Sequence, residues 1–496
     1  MIKARILFSI IFILLTAWQY GNSARHGYSE GDWVSFCPAR TVNSIAIDDR
    51  NIYFATGEAG ILRLDRFSEN FLDPLTISDG LPTNNIRRIA YDRPKDELWI
   101  DTNVGTGTYE PTFRDFSSGG TFPSELELPN SKFNIVNLFV EFGYTYFPRY
   151  ILDPHARKYH MSRVVVDDRY RAWMGFNGIG PAVVNTRSSD LMFLRSGPLT
   201  TDQRTIVYDD DYLYSGGYPD PGERSGISTL RLSLMEWKYY ESPYTHGLGG
   251  SKINCADANN DVAWFGTTTG LIRFETDSED FITYTTFSGL PSDYISAVAI
   301  DGNNLWVGTD NGLELIKFSY RKSDSLTTGL LSRKQSFFGQ FIYDIEVGDI
   351  YIYVGNQDGI FYRTREGEFW NHYSAGTIGG RRDITAILAT KKGLWLGHTG
   401  EITFFNPKNE KIQTFTPPGL DEANINDLIA YKGIIFAATD NGLAGIKPAT
   451  GENILFSDID GLVHQQVYAL EINREYLWCA TRGGITRIYI PALRIY

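Results

Sequence analysis

The chain has 496 residues, with 46 Lys and Arg against 59 Asp and Glu, and a formal net charge of −13. That acidic balance speaks against nucleic acid and anionic membrane surfaces as partners, since both are held by basic patches. Cys37, Cys255 and Cys479 are too sparse and too odd in number for a disulfide framework, so small buried thiols are expected.

Lys3 and Arg5 precede an apolar run over 6–18, and Asn22-Ser23-Ala24 offers a cleavage site. Residues 1–24 therefore read as a secretory signal peptide, with an uncleaved anchor as the alternative. Removing them takes away two basic charges and moves the net charge from −13 to about −15. No later stretch is long and apolar enough to span a bilayer. The mature chain, 25–496, is expected to be exported to the periplasm, the cell surface or the medium. No Asn begins an Asn-x-Ser/Thr sequon, which favours a bacterial export protein.

Beyond the signal, Trp33-Val34-Ser35-Phe36 looks like the last strand of a repeat whose first three strands are missing. Repeats then follow to the end of the chain. Each has an aromatic residue on a short strand, at Tyr53, Trp99, Trp173, Tyr214, Trp264, Trp306, Tyr353, Trp395, Phe436 and Trp478. Most intervals are about 40 to 50 residues, a period that marks propellers and other repeat architectures. The unit 295–318 is the clearest. An alternating strand at 295–300 is followed by the turn Asp301-Gly302-Asn303-Asn304. A second strand, Leu305 to Thr309, precedes the turn Asp310-Asn311-Gly312, and a third strand runs over 313–318. A fourth strand is signalled by pairs such as Trp237/Tyr240, Phe281/Tyr284, Trp370/Tyr373 and Ile412/Phe415. Four antiparallel strands per period describe a propeller blade. Between blades a Gly-Leu step recurs, at Gly80-Leu81, Gly247-Leu248, Gly289-Leu290, Gly419-Leu420 and Gly461-Leu462. Gly takes a backbone conformation other residues resist, and Leu plugs the gap between blades.

The fold class is all-β: a propeller of ten repeats in four-stranded antiparallel blades. A single closed ring is favoured and two smaller rings are the alternative. The last unit has three clear strands and the N-terminal segment supplies a lone fourth, so the N-terminal strand is expected to complete the final blade. Two departures stand out. The long interval between Trp99 and Trp173 places an insertion at about 112–146, between a third and a fourth strand. It is rich in aromatics (Phe122, Phe133, Phe139, Phe142, Tyr144, Tyr146) and is expected to form a hairpin over one face. The other is the enlarged turn from Gly217 to Arg224.

The stretch Leu305-Trp306-Val307-Gly308-Thr309-Asp310-Asn311-Gly312-Leu313, preceded by Gly289-Leu290-Pro291, resembles the two-component-regulator propeller repeat. That family is best known from the extracytoplasmic sensor halves of bacterial hybrid sensor kinases, particularly those tuned to polysaccharides. The resemblance implies a propeller with a binding role. The chain stops directly after the final unit, so the immunoglobulin-like module, membrane span and kinase of those sensors are not expected here. The repeat contains no catalytic residues, so none are transferred.

Direct signals of chemistry are few. The seven His residues form no compact metal-binding spacing, and there is no nucleophile elbow or phosphate-cradling loop. Asp48-Asp49, Asp167-Asp168 and Asp209-Asp210-Asp211 fall in turns; turn formation is expected, with calcium as the alternative. No cofactor is expected. Loops on a rigid scaffold carry function. The face bearing the second-to-third-strand turns is therefore the expected ligand face, with Tyr218, Arg224, His398 and Arg482 as candidate contacts. The expected function is that of a non-enzymatic propeller that binds a glycan or an envelope protein. A polysaccharide lyase or hydrolase, and a structural subunit of an envelope or secretion assembly, are the alternatives.

Overall fold

The computed structural model describes residues 28–29, 31–110, 115–132, 138–140, 143–318, 327–329, 339–379, 384–493 and 495. The expected signal peptide, Phe133 and Phe142 lie outside these residues. No helix among the described residues is long and apolar enough to cross a membrane.

The described strands form ten sheets, lettered A to J here by the chain order of their innermost strands. Sheets A, B and D to J each have four strands, and sheet C has seven. In each four-stranded sheet from A to I, successive strands pair antiparallel. Sheet J is different. Val467–Asn473, Tyr476–Thr481 and Gly484–Tyr489 supply three strands, and Trp33–Phe36 is the fourth, antiparallel to Gly484–Tyr489 with Trp33 opposite Ile488. The N-terminal strand is thus joined to the C-terminal sheet, as the lone strand signal implied.

The same local chemistry recurs from sheet to sheet. At the second turn a Thr hydroxyl donates to a Gly carbonyl: Thr267 to Gly270 (2.8 Å), Thr309 to Gly312 (2.9 Å), Thr439 to Gly442 (2.8 Å) and Thr481 to Gly484 (2.9 Å). In the Gly-Leu steps, Gly80, Gly247, Gly289, Gly419 and Gly461 all have positive φ, and Leu81, Leu248, Leu290, Leu420 and Leu462 are buried. The repeated aromatics other than the half-buried Trp99 are buried as well, with Trp173, Trp264 and Trp306 wholly enclosed.

The packing of innermost strands shows which sheets are neighbours. Asp202–Asp209, Ile253–Asn259, Ile295–Asp301, Asp344–Val347, Ala386–Thr390, Ile425–Tyr431 and Val467–Asn473 pack in that order, and Val467–Asn473 returns against Asp202–Asp209. These are sheets D to J. A buried cluster spans the return, joining Val34, Phe36 and Trp478 of sheet J to Leu213, Leu230 and Trp237 of sheet D. Sheets A, B and C pack separately: Lys158–Val166 lies on Val42–Ile47, which lies on Ile86–Asp92. The contacts therefore do not trace the single circuit through all ten sheets that the repeat count favoured. They trace one circuit through D to J, with a three-sheet group beside it.

A β-bulge near the start of most innermost strands ties neighbouring sheets together. The bulge residue donates a side-chain hydrogen bond to a carbonyl at or just before the start of the next innermost strand. Asn254 reaches Ile295 (2.7 Å), Ser296 reaches Ile342 (2.6 Å), Thr385 reaches Ile425 (2.5 Å) and Asn426 reaches Val467 (2.8 Å). In the three-sheet group Ser162 reaches Val42 (2.5 Å) and Asn43 reaches Ile86 (2.8 Å). A buried polar group must find a partner, and these bonds satisfy main-chain groups across each seam.

The insertion expected between a third and a fourth strand lies later in the chain. Asp115–Ser118 is already the fourth strand of sheet B, antiparallel to Thr106–Glu110. The extra residues follow it and run along the inner edges of the three-sheet group. Phe122 sits under the Arg88 guanidinium (4.3 Å), Glu127 pairs with Arg163, and the Asn130 side chain accepts from the Val164 N–H (2.8 Å). Thr145–Phe147 and Tyr150–Leu152 form a hairpin, which adds to the inner edge of sheet C through Lys158–His160. Phe139–Val140 pairs with the outer strand of that sheet. These segments cover strand edges of the three-sheet group that would otherwise stay open.

Candidate functional site

Four of the bulge positions carry large side chains in place of the short donors. They are Arg87 in sheet B, Arg204 in sheet D, Tyr343 in sheet G and Tyr468 in sheet J. Sheets D and J meet where the circuit of innermost strands returns, so Arg204 and Tyr468 face one another there. The Arg204 guanidinium carbon lies 3.9 Å from the centre of the Tyr468 ring and 4.7 Å from that of Tyr218. The guanidinium is held by Asp202 at 2.8 Å. A cation between two ring faces gains cation–π attraction from both and is fixed in orientation. The Tyr218 hydroxyl donates to the Asn254 side chain at 2.6 Å, and the Lys252 ammonium stands 5.6 Å from the Tyr218 ring centre. Burial, and then the neighbouring Tyr294, push the Tyr218 hydroxyl up to about 12, so it remains a neutral donor at physiological pH.

The aromatic surface continues around this face. Tyr294 meets Phe341 at 6.0 Å between ring centres, and Phe341 meets Tyr343 at 5.1 Å. Phe287, in the loop between sheets E and F, is fully exposed. The face therefore combines cations, amphipathic rings and one unprotected apolar ring.

The four residues singled out from the sequence are not one constellation. Tyr218 lies in the Arg204 cluster. Arg482 is exposed on the same face and donates to the Gln466 side chain at 3.3 Å. It also helps keep His464 below its ordinary value, where burial is the larger cause. Arg224 turns inward instead. Its side chain is 15% exposed and is paired with Glu241, which also holds Arg157 at 2.9 Å. Through Glu241 it joins sheet D to the turn between Tyr150–Leu152 and Lys158–Val166 of sheet C, and it does not face solvent. His398 is 1% exposed and occupies the buried position that Thr takes in other repeats, at the end of Gly393–His398. The sequence marked it as a departure, but the departure lies inside the sheet. Arg204 and Tyr468 were missed. Their only signal was a large residue at a position where other repeats have Asn, Ser or Thr.

The acidic turns are occupied by local hydrogen bonds. Asp48 accepts from the Arg50 N–H (2.6 Å) and the Tyr53 hydroxyl (2.7 Å), and Asp167 accepts from the Arg169 N–H (2.9 Å) and the Trp173 indole (2.9 Å). Among the described residues no group of three or more His, Cys, Asp or Glu is arranged to hold a metal ion. Cys37, Cys255 and Cys479 are free thiols, and burial pushes those of Cys37 and Cys255 up to about 12.

No curated protein matches the chain. Among solved structures, it is similar to PorZ, an essential surface component of the type-IX secretion system of Porphyromonas gingivalis. The identity is 12% and the TM-score 0.58, covering 92% of this chain and 87% of that one. It is also similar to the extracellular domain assigned to a hybrid two component system, BT4673 of B. thetaiotaomicron, at 14% identity and a TM-score of 0.48, over 90% of this chain and 70% of that one. A shorter match, at 15% identity and a TM-score of 0.44, is to virginiamycin B lyase from Staphylococcus aureus, over 58% of this chain and 94% of that one. The likeness to PorZ is one of fold. A model of the two component regulator propeller matches residues 289–311, which span the Gly-Leu-Pro turn, the first strand and the Trp strand of sheet F, and this chain thereby carries the repeat of that family.

Proposed function

We propose that this chain is an exported, non-catalytic propeller that holds a protein partner of the bacterial envelope on the face of its second-to-third-strand turns. The observation that carries this reading is the Arg204 guanidinium set between Tyr468 and Tyr218 at the D–J seam, on the face that also exposes Phe287. Tyr and Arg dominate protein interfaces because they bury large areas with few rotors to immobilise. Phe287 adds an exposed apolar ring to the same face. The fold shared with PorZ, a surface component of a secretion system, agrees with an assembly role.

The test is in-cell crosslinking of the tagged full chain in a producing bacterium, followed by purification and identification of stoichiometric partners. An envelope protein should be captured by the wild type and lost in Arg204→Ala/Phe287→Ala, with thermal unfolding unchanged. Capture that survives the double substitution would place the partner elsewhere. New reducing or unsaturated ends released from a polysaccharide panel by the purified protein, and abolished by one substitution on this face, would replace the reading with that of an enzyme.

A further inference from the structure

The seam between sheets G and H differs from the others. In sheet A the residue following the innermost strand is Asp48, whose carboxylate accepts from the Tyr53 hydroxyl at 2.7 Å. In sheet G the matching place in the turn is Gly348, whose N–H bonds the Tyr351 carbonyl (2.9 Å) as the Asp48 N–H bonds that of Asn51 (3.1 Å). Tyr353 of sheet G corresponds to Tyr53. Glycine supplies no carboxylate to Tyr353, and a cleft of about 700 Å³ opens between sheets G and H. Its size falls within the range of small-molecule sites, roughly 300–1,000 Å³.

The lining has a definite chemistry. Tyr351, Tyr353, Tyr362 and Tyr373 form one wall, with Tyr362 and Tyr373 stacked at 4.6 Å and Tyr351 edge-on to Tyr362 at 5.8 Å. Lys391, Lys392 and Lys408 stand on the opposite rim, all exposed. Among the described residues no ion pair engages any of these three ammonium groups. Three such cations on a chain of net charge −13 are a local reversal of sign. Of the acidic side chains here, Asp349 is exposed. Glu346 is largely withdrawn, accepting from the Ala389 N–H at 2.9 Å, and burial pushes it up to about 7.

We propose that the G–H cleft is a binding site for a short acidic oligosaccharide, with sugar rings lying on the tyrosines and carboxylates reaching Lys391 and Lys392. Tyrosine faces take the C–H side of a pyranose, and their hydroxyls exchange hydrogen bonds with sugar hydroxyls. Ammonium groups on long stems accommodate carboxylates at varied distances, as successive uronate units require. The cleft opens among the first-to-second-strand turns, on the face opposite the Arg204 cluster. The site is therefore independent of the partner face proposed above.

Calorimetric titration of the full chain with trigalacturonic acid, with maltotriose as the uncharged control, tests the inference. Trigalacturonate should bind more weakly at high salt, and maltotriose should bind far less. Lys391→Glu/Lys392→Glu should lower trigalacturonate affinity by about tenfold or more. Tyr351→Ala should weaken it too, and Arg204→Ala should leave it unchanged. Absence of trigalacturonate binding overturns the proposal. So does maltotriose binding of equal strength that the lysine substitutions do not alter. Loss of binding in Arg204→Ala would move the sugar to the other face and equally refute it.

Discussion

Trp33 tests whether the N-terminal strand holds the D–J circuit together. Its side chain is 3% exposed and packs against Phe456 and Tyr28, with ring centres 5.7 and 5.5 Å away. A Cβ added at Gly461 would come within 3.1 Å of it. Its indole N–H has no hydrogen-bond partner among the described residues, so truncation removes packing alone. A buried Trp covers roughly 150–250 Å², which at about 25 cal/mol per Å² corresponds to about 4–6 kcal/mol, less what an alanine retains. Trp33→Ala should therefore cost about 3–5 kcal/mol, the usual range for such truncations. For a cooperative unit of about 300 residues the unfolding entropy is about 0.6 kcal/mol/K, so the midpoint should fall by about 5–8 °C. Thermal unfolding followed by circular dichroism is the assay. Phe67→Ala, at a site 60% exposed, is a control that should not move it. Deleting 25–38 should do more harm, because it also uncovers the edge of Gly484–Tyr489. An unchanged midpoint in Trp33→Ala and in the deletion would refute the assignment of this strand as a structural part of sheet J.

Asn254→Ala should lower stability by about 1–3 kcal/mol, because it leaves the Ile295 carbonyl without its donor across the D–F portion of the circuit. Urea denaturation would read the loss, and a neutral result would show that the bulge donors do not tie the sheets. The innermost strands also predict an unusual pH dependence. Burial raises Asp427 to about 8, Glu346 and Glu471 to about 7, and Asp257 and Asp344 to about 6. The native chain therefore binds these protons more tightly than the unfolded chain, whose carboxyls titrate near 4. Stability should fall as pH rises from about 4 through about 8. Urea midpoints at pH 5.5 and 8.5 should show the acidic sample to be more stable; the reverse order would contradict the burial of this set. Groups held low, such as Asp65 at about 2, act only in more acidic solution and do not mask the effect.

Much of the fold was legible because it is local. The Thr-to-Gly bond of each second turn closes within a few residues, and so does the positive-φ glycine before each plugging leucine. Such features repeat with the period and can be read from any one unit. The site was less legible. Tyr218 was marked by an unusual turn, and the structure does bring it to the cation cluster. Arg224 was marked by the same turn and is folded inward onto Glu241. A charged side chain's direction depends on which carboxylate the neighbouring strand offers, and no spacing in the sequence reveals that.

The sequence by itself determined the repeating strands and turns, the aromatic position of each sheet and the pairing need of the stray N-terminal strand. These follow from side-chain alternation and turn chemistry, which act over a few residues. Only the tertiary structure decided that sheet J returns against sheet D, leaving A, B and C as a separate group. The bonds across the seams run from a short polar side chain to a backbone carbonyl, and every repeat offers the same carbonyl. Such donors therefore do not encode which sheet lies next. Where the seam brings Arg204 to Tyr468, and where the cleft between sheets G and H opens beside Tyr353, the chemistry arises from neighbours that the sequence does not name.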